Sequence, residues 1–272
     1  MGQRRWPIVY IQIGLEYRFS IDHSRCEKLP VDTMTDHSQE RKPSSLARPL
    51  IWMMLGVAVF FLISLIARLF VSWQNFGDLD HNAPGTWVAL AIDAQNGLIY
   101  RPIVSSLGYG GTRYAPLIFV VQAALMRMGI NPFTSGFLMG LAATALIIGG
   151  LFVLMRQLKT PAAIAAALAV FALAATCIRI NILAIRGDLL PLGFSLWGLI
   201  AVVRLGTEPG APQRYFGVLM GAALFALAMA TKVTSVYGIA TAASWLLLRR
   251  QFREAALLCI VWGAAMILIV LL

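Results

Sequence analysis

Residues Leu50–Phe70 read LIWMMLGVAVFFLISLIARLF. A helix rises 1.5 Å per residue, so about twenty apolar residues cover the ~30 Å hydrocarbon core of a bilayer. Six further apolar runs follow, near Phe133–Met155, Pro161–Cys177, Leu189–Val203, Tyr215–Ala230, Val233–Leu248 and Ala255–Leu272. The pattern predicts an all-α fold, a polytopic transmembrane helical bundle of about seven spans. Composition agrees: 59% of residues are hydrophobic and 12% charged, and the mean hydropathy is +0.77. Soluble domains carry about a quarter charged residues. Most of this chain's surface is therefore expected to use lipid as its solvent.

The formal net charge is +10. In a soluble chain that excess would point to nucleic acid. Here the cations flank apolar runs, so they are read as topology signals and contacts for anionic lipid, with no nucleic-acid partner. Arg41, Lys42 and Arg48 precede the first span; Arg156 and Lys159 follow the second; Arg204 and Arg214 flank the loop after the fourth; Arg249, Arg250 and Arg253 follow the sixth. Strict alternation puts all four clusters on one side, which the positive-inside rule makes cytoplasmic. The N-terminus is then inside, and Val71–Asn131 is a long first extracytoplasmic loop. Within it, Pro116–Met128 is apolar but too short to span, and is expected as an interfacial or re-entrant helix.

The ends have their own character. Residues 1–49 are polar and read as a cytoplasmic tail. No signal peptide is visible, and Trp6–Leu15 is too short to span. Met34 opens an ordinary lead into the first helix, so 1–33 is expected to be a gene-model extension; mass spectrometry of the natural N-terminus checks this. The membrane domain is 50–272. It closes on CIVWGAAMILIVLL without a polar flank, so the protein either stops at its seventh span or, as a final span usually has a polar or basic flank, is expected to be the front part of a longer one. Cys26, Cys177 and Cys259 lie far apart with no metal-ligand spacing and are expected as apolar fillers.

Few groups past residue 49 can carry chemistry. The acids are Asp78, Asp80, Asp93, Asp188, Glu208 and Glu254. The topology puts the aspartates outside and the glutamates inside. The outside cations are Arg101, Arg113, Arg127, Arg179, Arg186 and Lys232, each placed against the positive-inside trend. Ionisable residues at membrane ends are candidates for function. Asp78-Leu79-Asp80 can hold a divalent metal, Mg or Mn, through carboxylate oxygens, or supply a general base, or simply cap a helix near Pro84. Arg101, Arg113 and Lys232 suit a phosphate, or snorkel to headgroups. Arg186-Gly187-Asp188 can serve a substrate or form a local ion pair at the start of the fourth span. Trp73, Trp87, Tyr100, Tyr109 and Tyr114 fit an interfacial aromatic belt, with sugar stacking the sharper alternative. Gly108-Tyr109-Gly110-Gly111 reads as a flexible loop.

The order of these parts resembles the N-terminal half of the GT-C membrane glycosyltransferases, the class of the protein O-mannosyltransferases and the aminoarabinose transferase acting on lipid A. The features that carry the resemblance are one span, acids just outside it, the stretch Gly97-Leu98-Ile99-Tyr100-Arg101-Pro102, then Tyr114-Ala115-Pro116-Leu117 opening an apolar segment closed by Gly129. Arg186-Gly187-Asp188 and Thr231-Lys232 follow. It covers about Leu50–Leu272. Two departures stand out: His81 follows Asp80 where the family has another acid, and Ala115 replaces the first Pro of a Pro-Pro-Leu motif. The resemblance implies transfer of a sugar from a polyprenyl-phosphate donor to a glycan, lipid or protein hydroxyl on the outer face. It implies Asp80 or Asp78 as base, with Arg101, Arg113, Tyr114, Arg186, Asp188 and Lys232 binding substrate. A metal bridging Asp78 and Asp80 is compatible with this chemistry and not required by it. The location implied is a bacterial inner membrane. The rival classes are a non-catalytic membrane subunit or incomplete copy, and a solute transporter, which would carry an internal repeat that the sequence lacks.

Overall fold

A computed structural model describes residues 47–74, 83–100, 104–105, 108–109, 115–174, 187–205 and 212–271, all within the unit Pro43–Leu272. The expectations for the tail, for Cys26 and Cys177, and for Arg179 and Glu208 lie outside the described residues.

The described residues form nine α-helices: α1 Ala47–Gln74, α2 Ala83–Gln95, α3 Leu117–Arg127, α4 Pro132–Gln157, α5 Ala162–Phe171, α6 Leu189–Leu205, α7 Pro212–Thr231, α8 Tyr237–Leu248 and α9 Phe252–Leu271. A 3-10 turn, Ala172–Ala174, extends α5. Between α2 and α3, Val104–Ser105 pairs antiparallel with Gly108–Tyr109, so part of the expected glycine loop is a minimal ribbon.

Each of the seven apolar runs contains a helix. Among the described residues four helices are long and apolar enough to cross a membrane: α1 over Pro49–Arg68, α4, α7, and α9 over Phe252–Ile269. Their length and composition are compatible with an integral membrane protein. The other three runs hold the shorter apolar helices α5, α6 and α8. Helix α8 starts at Tyr237 instead of Val233, because Lys232–Ser235 forms a turn in which the Ser235 amide donates to the Lys232 carbonyl at 3.0 Å.

Helix α6 is the centre of the packing, touching α4, α7 and α8; α9 closes on α7 and α8, and α1 lies along α5. Small residues set the close approaches. A Cβ on Gly221 of α7 would meet Val202 of α6 at 2.5 Å, and one on Gly150 of α4 would meet Leu196 of α6 at 2.6 Å. The Gly/Ala-rich stretches of α4 and α7 are thus packing surfaces, as small-residue faces in membrane helices commonly are.

Helices α2 and α3 pack as a pair against the start of α4. Helix α3 is 11 residues long, about 16 Å and half of a hydrocarbon core. It buries Ile118, Phe119, Gln122, Ala123 and Met126 on one face. Gln122 Nε2 donates to the Pro132 carbonyl at 3.1 Å, and the Arg127 guanidinium donates to the Gln95 carbonyl at 2.9 Å.

Trp87 corrects the aromatic-belt expectation. It is 4% exposed and packs on Phe119 with ring centroids 5.3 Å apart, so it reaches neither headgroups nor sugar. Cys259, in contrast, is exposed on α9 and fills no gap in the core.

Among the described residues, four helix ends adopt left-handed backbone. Gly97 (φ 84°) and Gly129 (φ 87°) end α2 and α3, where glycine is the usual residue. After α4 and α8 the same role falls to Lys159 (φ 60°) and Arg250 (φ 58°), where a side chain costs roughly 1 kcal/mol.

Candidate functional site

Charge gathers at the two ends of α7. Just past its C-terminal end, the Lys232 ammonium donates to the Asp188 carboxylate, 44 residues earlier in the chain. Both side chains are 23% exposed. The pair is neither sealed in the core nor freely solvated, and Lys232 makes a further contact besides it. It ties the end of α7 to the start of α6. At the opposite end, Arg214 faces Glu254 of α9 at 3.3 Å, with side chains 5% and 10% exposed. Eighteen residues separate Arg214 from Lys232 (232 − 214), which in helix is about 27 Å, close to a hydrocarbon core.

Around Asp188 three parts of the fold converge. Gly187 is buried, and a Cβ there would meet Trp87 at 2.7 Å and Ile118 at 2.8 Å. Only a residue without a side chain lets the α2–α3 pair seat on this turn. Leu189 and Leu190 then join a core cluster with Leu65 of α1 and Leu173 after α5.

Leu65 and Leu173 also line a lateral cleft of about 240 Å³ between α1 and α5, with Phe60, Phe61, Val170 and Arg68. Arg68 sits near the end of α1 that the sequence places outside, and it is exposed. A cleft walled by apolar side chains, with a guanidinium at its rim, suits a lipid chain bearing an anionic head.

Sequence reasoning missed Arg68. The available signal was a lone cation a few residues from the end of an otherwise apolar run. It also singled out Asp188 and Lys232 as separate candidates. The structure joins them, and Lys232 is the partner found for Asp188; Arg186 lies outside the described residues. So do Asp78, Asp80, Arg101, Arg113 and Tyr114. Tyr100 is described and is about half exposed; partial burial raises its phenol above the usual value, leaving a neutral hydroxyl at physiological pH. Among the described residues no three His, Cys, Asp or Glu side chains cluster to hold a metal.

No protein-family model, curated protein or solved structure matches this chain.

Proposed function

We propose that the chain is a membrane glycosyltransferase of seven spans with a cytoplasmic N-terminus, residing in a bacterial inner membrane. It moves a sugar from a polyprenyl-phosphate donor to a hydroxyl acceptor on the extracytoplasmic face. The observation that carries the reading is the half-buried Asp188–Lys232 pair at the bundle end where α2 and α3 dock. Lys232 at that bundle end places an ammonium where a lipid phosphate can share it with the Asp188 carboxylate.

In the proposed reaction Asp80 or Asp78 accepts the proton of the acceptor hydroxyl. The oxygen attacks the anomeric carbon, the bond from that carbon to the phosphate oxygen breaks, and the lipid phosphate leaves with inversion. Lys232, with Arg101, Arg113 and Arg186, stabilises the charge gathering on the leaving phosphate. Tyr114 and Asp188 position the sugar, and the Arg68 cleft receives the start of the lipid chain.

The test is sugar transfer from a polyprenyl-phosphate donor in reconstituted vesicles. Asp80→Asn or Asp78→Asn should lower transfer at least 100-fold, the low end of the usual general-base contribution, with unchanged thermal unfolding. If neither does, the assignment of the base is wrong.

A second reading has its own support. The same ion pair satisfies both of its charges, as a structural lock would, and a non-catalytic membrane subunit would carry such a lock. That subunit would tolerate both asparagine substitutions.

A further inference from the structure

The end of α7 remote from Lys232 carries a second charged cleft that the proposed transfer leaves unused. The turn between α8 and α9 and the first turn of α7 enclose it, with Arg214, Arg249, Arg250, Arg253 and Glu254 among its lining residues and a volume of about 490 Å³. Four guanidiniums face one carboxylate. Glu254 offsets Arg214 only in part, since the one contact between them is 3.3 Å long and Arg214 has five N–H donors. Arg214 is 4% exposed, and its Nε finds no acceptor among the described residues. Burying a guanidinium with a spare donor is costly unless an acceptor arrives.

Two further features describe that acceptor. Arg249 lies over the Trp245 ring, 4.7 Å from its centroid, which fixes one wall of the cleft. Gln251, also at the cleft, has an Oε1 that meets no donor among the described residues. An occupant bearing both an anion and a hydroxyl answers the two orphaned groups together. Beside the cleft, Leu248 is 85% exposed and Phe252 63% exposed. Apolar side chains so open, next to arginines, mark the depth where headgroups meet acyl chains. The start of α9 adds its amide dipoles to the same anion.

We propose that this cleft is a binding site for a phosphate group, supplied by an anionic glycerophospholipid whose headgroup keeps free hydroxyls. It rests on the membrane reading and is independent of glycosyl transfer. The strained left-handed Arg250 is then part of the site: glycine would relieve the backbone and remove a ligand.

Thermal unfolding of the purified full chain in detergent tests it, with added phosphatidylglycerol, phosphatidylcholine or inorganic phosphate. Phosphatidylglycerol should raise the unfolding temperature of the wild type and of Arg156→Gln/Lys159→Gln, which loses the same charge at another turn. Arg250→Gln/Arg253→Gln should need roughly thirtyfold more of that lipid, given the affinity that each of the two surface cations contributes. Both arginines are exposed, so the fold should survive their loss. A shift produced by millimolar phosphate, absent in the Arg250→Gln/Arg253→Gln variant, would support the site and assign it to a soluble anion. An equal response of that variant and the wild type to phosphatidylglycerol overturns the proposal. So does an equal response to phosphatidylcholine, or no response of the wild type to either phosphate source.

Discussion

Alanine at Gly221 and alanine at Gly56 should change stability in opposite directions, although both glycines lie inside long apolar helices. The general helix term favours alanine over glycine by about 1 kcal/mol. At Gly56 nothing lies within 4 Å of the added Cβ, so that gain should appear almost whole. At Gly221 the new carbon would stand 2.5 Å from Val202 Cγ2 and 3.2 Å from the Gly198 carbonyl oxygen. Val202 is completely buried, with Val218 and Ala222 in the same cluster, so its methyl has no free space to enter. Overpacking of this kind costs about 1–3 kcal/mol. Subtracting the helix term leaves Gly221→Ala destabilised by roughly 0–2 kcal/mol, and Gly56→Ala stabilised by up to about 1 kcal/mol. Unfolding titrations with sodium dodecyl sulfate in mixed micelles measure both. If Gly221→Ala is stabilised as much as Gly56→Ala, the close approach of α6 and α7 is refuted.

Other outcomes follow from particular contacts. Asp188→Asn alone and Lys232→Gln alone should each destabilise by about 1–3 kcal/mol, less than for a fully buried pair because water still reaches both groups. The double variant should cost clearly less than their sum, and a strictly additive cycle would show that the two do not interact. Lys159→Gly should stabilise the α4–α5 turn by roughly 1 kcal/mol, while cysteine labelling reports more chains with this turn outside. On the proposed reaction, removing divalent metal with a chelator should leave any sugar transfer intact; loss of transfer would make Asp78 and Asp80 ligands in place of a base.

The helical class was legible because lipid selects for it. A run such as Leu50–Phe70 can satisfy its backbone polar groups in hydrocarbon only as a helix. Boundaries were less legible: the turn at Lys232–Ser235 lies between two apolar runs, and no glycine or proline marks it. The Trp87 misreading has a physical cause. Aromatic residues favour both interfaces and cores, and only the spacing Trp87, Leu90/Ala91, Ala94, one face of a helix, separates the two. Asp188 and Lys232 were each conspicuous as isolated charges beside apolar runs. Their pairing depends on α6 and α7 being antiparallel neighbours, which is a tertiary fact. Arg214 was read with the other cations as a topology signal. Its burial against Glu254 follows from the packing of α9 on α7, which local sequence does not express.

The charge pairs that fasten both ends of α7 bear on how the protein meets bilayers of different thickness. A free span accommodates a thin or thick membrane by tilting. Helix α7 is fastened to α6 at one end and to α9 at the other, so tilting it means dragging its neighbours or parting a carboxylate from its cation. Helix α1, whose described span is only 11% buried, has no such charge pair among the described residues. A mismatched bilayer should therefore reorient α1 and deform its own lipids around α7, widening or narrowing the cleft at Arg68 as acyl-chain length changes.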